Sequence, residues 1–380
     1  IKILATSSIK NVANILILFV LLCFYFWLMK DNKSLPPSYL NGLPLIGHYH
    51  LLWGNMTNFN IKNGRVARIV LGTYSLYWIT DPGDSLTVLN TCLDKGYMYQ
   101  FSIYRERFCK PWLHSNAIYN WSTLKTEYET VVKTGAELIR EVCSKRLNAK
   151  LCKKHNKFKP ILDILLELSE TDESLTDVKV RQLTENIIVA GFDTNSTVLI
   201  YLLAVIGTYP NVQNKLFKEL EDVFGGLDRD VDKEDLPKLV YLDAVIKETL
   251  RIYSPAPMVA RKASVSLKLK NYTIPPGGTY LIAIYGIHRH AMWGADAEQF
   301  RPERWLELGG VPDNPNAFAW FSLGKRNCIG KQYGMMNLKT TLVHLLRNYE
   351  VTADATRMVL KYDGFLKPLN GHEVEIRLRK

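Results

Sequence analysis

In FSLGKRNCIG, residues 321–330, one cysteine stands beside two glycines and two positive charges. A thiolate persists at neutral pH when backbone N–H groups, a helix N-terminus or a metal stabilises it. The run after Gly330, KQYGMMNLKTTLVHLLR, has a helical pattern. Cys328 is therefore expected just ahead of a helix, in a turn that Gly324 and Gly330 allow to bend and approach closely. In that turn Arg326 is placed to meet an anionic group beside the sulfur, and Phe321 to cover it from water.

One thiolate plus one anion-binding arginine suits a haem iron with its propionates better than zinc, which takes four ligands. A second set of reactive types lies in AGFDTNS, Ala190 to Ser196, inside an otherwise apolar segment. Asp193 and Thr194 there have two readings. One is a threonine bonded back to the preceding turn with an aspartate at a helix bend; the other is the carboxyl and alcohol of a buried proton relay. A third set is KETLR, where Glu248 and Arg251 share a helix face within ion-pairing reach. Such a pair matters if it is buried and joined by a second guanidinium, which Arg304 of FRPERW is positioned in sequence to supply. The role of that trio is structural, holding the segment that leads into the cysteine loop.

The elements that must position these groups are mostly helical. A helix is expected from about Asp177 to Thr208, with Thr176 as N-cap and Pro210 beyond its end. At 1.5 Å per residue it spans roughly 45 to 50 Å, a whole domain. Two strand-like runs, VARIVL at 66–71 and YSLYWIT at 74–80, are separated by Gly-Thr, and strands return near 280 and at the C-terminus. The chain of 380 residues, 47% hydrophobic, is long enough for one large domain or two closely packed ones.

Residues 12–29, VANILILFVLLCFYFWLM, run without a charge for about the length that crosses a hydrocarbon core of roughly 30 Å. The run is long for a signal peptide and no small-residue cleavage site follows it. A membrane anchor is expected over residues 1–30 and a stiff proline-rich hinge over 31–50, from LPPSYLNGLPLIGH. Lys2 and Lys10 before the span balance Lys30 and Lys33 after it, so charge does not set its orientation. The six cysteines show no CxxC pair and are too sparse for a disulfide scaffold. The net charge of +11 favours an acidic partner. Nucleic acid is not that partner: the basic stretch from Arg140 to Lys159 lacks interleaved stacking aromatics and reads as a solvated helix end.

FSLGKRNCIG matches the cytochrome P450 haem-loop pattern F-x-x-G-x-R-x-C-x-G at all five fixed positions. A chance match somewhere in the chain has a probability of order one in ten thousand. AGFDTNS resembles the oxygen-activating helix of that family, ETLR its E-x-x-R, and FRPERW the segment that completes the Glu-Arg-Arg cluster, all in the family's order. The anchor and hinge resemble the microsomal branch, and the wording around the motifs resembles animal family 4.

The resemblance implies a mainly α fold with small β-sheets, the cytochrome P450 fold, over residues 51–380 behind an N-terminal transmembrane helix. It implies haem (heme b, iron protoporphyrin IX) with Cys328 as axial thiolate, and Arg326 and Arg261 paired with the propionates. Phe321 would tune the sulfur, and Gly324 and Gly330 would shape the loop. Thr194 and Asp193 would deliver protons, while Glu248, Arg251 and Arg304 would be structural. The implied reaction is oxygen insertion into a C–H bond of a small apolar substrate: a fatty acid, another lipid or a foreign compound. Electrons would come from NADPH-cytochrome P450 reductase, with cytochrome b5 as a second partner, at the cytosolic face of the endoplasmic reticulum membrane.

Departures from the pattern point to a shortened chain. CLDKGYMYQF, ending at Phe101, resembles the start of the early substrate-site helices, whereas RERFCKPWLHSNAIY from Arg105 resembles a segment well past them. No tryptophan has Arg four residues later, so the family's W-x-x-x-R is missing. Ala190 stands where many family 4 members carry a haem-esterifying Glu. The competing expectation is a non-catalytic remnant with impaired haem binding.

Overall fold

The computed structural model describes residues 66–71, 74–94, 115–150, 159–225, 229–363 and 365–379. The expected anchor, the hinge and the junction between Phe101 and Arg105 lie outside the described residues. In chain order come β1 (Val66–Leu71), β2 (Tyr74–Ile79), α1 (Pro82–Thr91), α2 (Asn116–Asn120), α3 (Thr123–Lys150), α4 (Ile161–Thr171) and α5 (Asp177–Thr208). Then follow α6 (Pro210–Phe224), α7 (Val240–Ile252), β3 (Val259–Lys262), β4 (Leu267–Lys268), β5 (Thr273–Ile274), β6 (Thr279–Ile282) and α8 (Ile284–Ile287). Helix α9 (Lys331–Asn348), β7 (Tyr349–Ala353), β8 (Val359–Asp363), β9 (Phe365–Asn370) and β10 (Val374–Leu378) complete the order. The fold is mainly α with small sheets, as the sequence leads one to expect.

The chain forms two compact units, residues 106–197 and the remainder, and α5 carries it from one to the other between Thr197 and Val198. In the smaller unit Leu162 of α4 and Val180 of α5 are buried, and Lys159 forms an ion pair with Glu167. Helix α5 has the bounds expected from the sequence; the Thr176 hydroxyl accepts from Lys179 N–H at a long 3.4 Å.

In the larger unit a sheet runs in the order β1-β2-β6-β3. Its registers set Arg68 opposite Tyr77, Tyr77 opposite Tyr280 and Tyr280 opposite Arg261, so these four residues form one row across the strands. Side chains alternate faces along a strand, which puts the whole row on one face. Helix α1 packs there: Val88, Leu89 and Cys92 join Tyr77 and Tyr280 in one buried cluster. Its start is fixed by Asp81, which accepts from Gly83 N–H at 2.9 Å and Asp84 N–H at 3.0 Å, with Pro82 in the first turn.

A second cluster joins the end of α5 (Leu202, Ile206), α6 (Leu216, Leu220), α7 (Val245, Ile246) and α9 (Leu342, Leu346) to Val351 of β7. Helix α6 begins on Pro210 and ends where Gly225, at φ +58°, gives its N–H to Glu221. Gly207 permits the close passage of α5 over β7, because a Cβ there would fall 2.7 Å from the Ala353 nitrogen. Leu342 is fully buried and Leu308 fully exposed. Leu342→Ala should cost about 2–5 kcal/mol in urea unfolding, whereas Leu308→Ala should change it by less than about 0.5 kcal/mol.

Candidate functional site

The positioning centre of the larger unit is the Glu248 carboxylate, on the buried face of α7. Arg251 lies one turn on and donates from Nε and Nη2 at 2.9 and 2.8 Å. Arg304 Nε, on the turn Pro302–Trp305, donates at 2.9 Å, as do Arg301 N–H at 2.9 Å and Trp305 Nε1 at 3.0 Å. Glu248, Arg251 and Arg304 are all fully buried. Two buried cations around one anion are tolerable only when their remaining donors find acceptors. Arg251 donates to the carbonyls of His288, Ala297 and Gln299 at 2.9, 2.5 and 3.0 Å, and Arg304 reaches Asp296 at 3.2 Å. The Arg304 pair holds the Asp296 carboxyl below the usual range, against the opposing effect of burial.

From this centre the chain runs through an aromatic series into the cysteine loop. Trp305 meets Phe318 at 4.4 Å between centroids, Phe318 meets Trp320 at 5.4 Å and Trp320 meets Phe321 at 3.7 Å. The loop closes on itself through Cys328 N–H, which donates to Phe321 O at 2.9 Å. Gly324, at φ +72°, lies against α1: a Cβ there would fall 2.8 Å from Asn90 Oδ1 and 3.0 Å from Leu89 O. Ser322 also adopts a left-handed φ of 63°, which costs a non-glycine residue free energy. Gly330 caps α9, and a Cβ on it would fall 3.8 Å from Cys328 Sγ.

Cys328 is a free, exposed thiol at the mouth of this loop, two residues ahead of the α9 cap. Phe321, half-buried, packs its ring against that of Trp320 at the start of the same loop. Arg326 ends the turn Gly324–Arg326 and is exposed.

Arg261 lies inside the larger unit, at the β3 end of the buried row. Its Nη1 donates to Ala260 O at 2.7 Å, while its Nε and the Tyr280 hydroxyl have no hydrogen-bond partner among the described residues. Burial pushes the Cys92 thiol up, and the Arg261 charge opposes that. In the smaller unit Thr194 and Asp193 are half-buried on α5. The Thr194 hydroxyl donates to Ala190 O at 2.5 Å, and Thr197 and Ser196 return in the same way to Asp193 O at 2.8 and 3.1 Å. The back-bonded reading of Thr194 is thus the observed conformation.

Sequence reasoning passed over His288, Trp305 and Asp296. Trp305 stands in the quoted FRPERW and had a usable signal, an indole donor next to the second arginine. His288 had none. It is fully buried, its Nε2 accepts from Ala319 N–H at 2.9 Å, and its ring lies 5.5 Å from that of Phe318. Burial, followed by the charges of Arg289 and Arg251, pushes its imidazole down to about 3. A histidine held neutral in the fold contributes stability that is fully present above its unfolded value near 6.5 and is lost as pH falls towards 3. Between pH 7 and 5.5 wild type should therefore lose about 1 kcal/mol more unfolding free energy than His288→Gln. Equal losses in the two proteins would contradict the buried neutral imidazole.

Residues 92–376 match the family model described as Cytochrome P450. Cytochrome P450 4V2 of Mus musculus is 37% identical over 227 residues, 59% of this chain and 43% of that protein. Cytochrome P450 4V2 of Rattus norvegicus is 32% identical over 298 residues, 74% of this chain and 57% of that protein. Probable cytochrome P450 4d20 of Drosophila melanogaster is 34% identical over 221 residues, 58% of this chain and 43% of that protein. The chain spans about half the length of the curated relatives it matches. The family match covers well over half of the chain and includes the cysteine loop and the Glu248 centre, and on that ground the chain belongs to the cytochrome P450 family, in its animal family 4 type.

Proposed function

We propose that the chain carries the haem-thiolate centre of a membrane-anchored monooxygenase that hydroxylates an apolar substrate, with electrons from NADPH through a flavoprotein reductase. The observation that carries this reading is the exposed Cys328 thiol on a loop closed by its own backbone N–H and packed through Gly324 onto α1. A single sulfur presented in this way would suit holding a haem iron rather than a closed four-ligand metal site. The donor set also fits the rest of haem b: the buried Arg261 Nε and Tyr280 hydroxyl, both without partners among the described residues, are groups that a carboxylate would satisfy.

Bound haem would supply oxygen activation and the insertion of one oxygen atom into a C–H bond. Arg261 and Arg326 would hold its propionates, and Cys328 would stay an anion by ligation. Thr194 and Asp193 would move protons, which requires the Thr194 hydroxyl to leave and regain the Ala190 carbonyl. Glu248, Arg251 and Arg304 touch no reacting atom in this scheme and keep the loop in place. Lys325, Arg326 and Lys331 are exposed around the cysteine, a positive surface suited to an acidic reductase or to cytochrome b5. The apolar run at residues 12–29 supports placement on a membrane, and the resemblance to the microsomal branch implies the endoplasmic reticulum with this surface in the cytosol.

A second reading, a non-catalytic remnant, is favoured by one observation: the break in resemblance between Phe101 and Arg105 in a chain whose match spans about half the length of its relatives. The reduced carbon-monoxide difference spectrum separates the two. The monooxygenase reading expects a thiolate-type Soret band that Cys328→Ser abolishes. Absence of the band from folded wild-type protein supplied with haem would establish the remnant, and its survival in Cys328→Ser would refute the ligand assignment.

A further inference from the structure

We infer that His288 is a positioning residue for Cys328, a side chain through which the order of the Glu248 centre is passed to the cysteine loop beside the aromatic series. The path is a continuous run of hydrogen bonds within the larger unit. Glu248 fixes the Arg251 guanidinium at 2.8 and 2.9 Å, and Arg251 Nη1 donates to the His288 carbonyl at 2.9 Å. The His288 ring then accepts Ala319 N–H on Nε2 at 2.9 Å. Ala319 O takes Ser322 N–H at 2.8 Å, and Phe321 O takes Cys328 N–H at 2.9 Å.

Two features argue that the imidazole does more than fill space. Accepting on Nε2 requires the proton to sit on Nδ1, and that atom is buried with no hydrogen-bond partner among the described residues. The site thus leaves one ring donor unsatisfied while keeping the acceptor that faces the loop. The bond also falls where the loop needs a fixed origin. Ala319 lies three residues ahead of Ser322, whose left-handed φ of 63° must be held in place by its surroundings. Phe318 on the His288 ring at 5.5 Å and Trp320 on Phe321 at 3.7 Å flank that origin on both sides. The neutral state required for acceptance is kept by burial and by the Arg289 and Arg251 charges, the groups that act on the ring.

The spectral consequence of this inference rests on Cys328 being the iron ligand; the two main readouts do not. The first is the tautomer, read on the unmodified full chain by nitrogen-15 NMR of labelled histidine at pH 7. Nε2 should be unprotonated and Nδ1 protonated; a protonated Nε2 would overturn the inference even if no variant folds. The second is amide exchange. His288→Leu should speed exchange in residues 319–328 about ten- to a hundredfold, the loss expected for an unpaired buried N–H, while α9 keeps its protection. His288→Gln, which retains an acceptor at the same reach, should restore much of the protection. Unchanged exchange in His288→Leu, equal acceleration in α9, or no rescue by Gln would each overturn the positioning role. In haem-loaded protein the same Leu variant should lower the thiolate-type share of the carbon-monoxide spectrum. If Cys328 is not the ligand, that share is zero in wild type too while the tautomer and exchange results stand, so the two failures are distinguishable.

Discussion

A carboxylate with no access to water, flanked by two guanidinium groups equally removed from it, is the constraint on which the larger unit is built. Glu248 accepts from Arg251, Arg304, Arg301 N–H and Trp305, and these donors come from one helix and one irregular turn far along the chain. Desolvating three charges is expensive, and only a fully satisfied arrangement offsets it. The carbonyls of His288, Ala297 and Gln299 and the side chain of Asp296 supply the remaining acceptors, so the stretch between α8 and the cysteine loop is pinned at several points with only short 3-10 turns for regular structure. Irregular chain inside a protein must account for each polar group, and here the guanidinium forks do so.

What that pinned stretch presents is a thiol at the surface. The loop is held from behind by the aromatic series, from one side by the approach of Gly324 to α1, and from within by Cys328 N–H on Phe321 O. None of these contacts covers the sulfur. A cysteine used for packing would be buried, as Cys92 is, and its reactivity would be damped by desolvation. Among the described residues the two free thiols of the larger unit thus illustrate the two uses of the same side chain, and of these Cys328 has the access a ligand needs.

Much of this was legible in the primary structure because it is local or periodic. The bounds of α5, the pairing of β1 with β2 across a Gly-Thr step and the helix after Gly330 follow from hydrophobic spacing and from proline and glycine punctuation. The union of Glu248 and Arg251 follows from helix geometry, and the addition of Arg304 from the FRPERW pattern. The rest depends on contacts between distant residues. Nothing near His288 in sequence indicates that its ring will meet Ala319 N–H, or that Asn90 will face Gly324. The Thr194 back-bond is local, but local rules allow both it and a relay, and only coordinates choose the resting conformation.

The most direct test of this account is the urea-unfolding free energy of Glu248→Gln, a substitution that keeps the size of the side chain and removes its charge. The account predicts a loss of about 3–5 kcal/mol, because Arg251 and Arg304 would remain buried without a counter-charge. A change below about 0.5 kcal/mol would show that the carboxylate does not hold the unit together and would contradict the account.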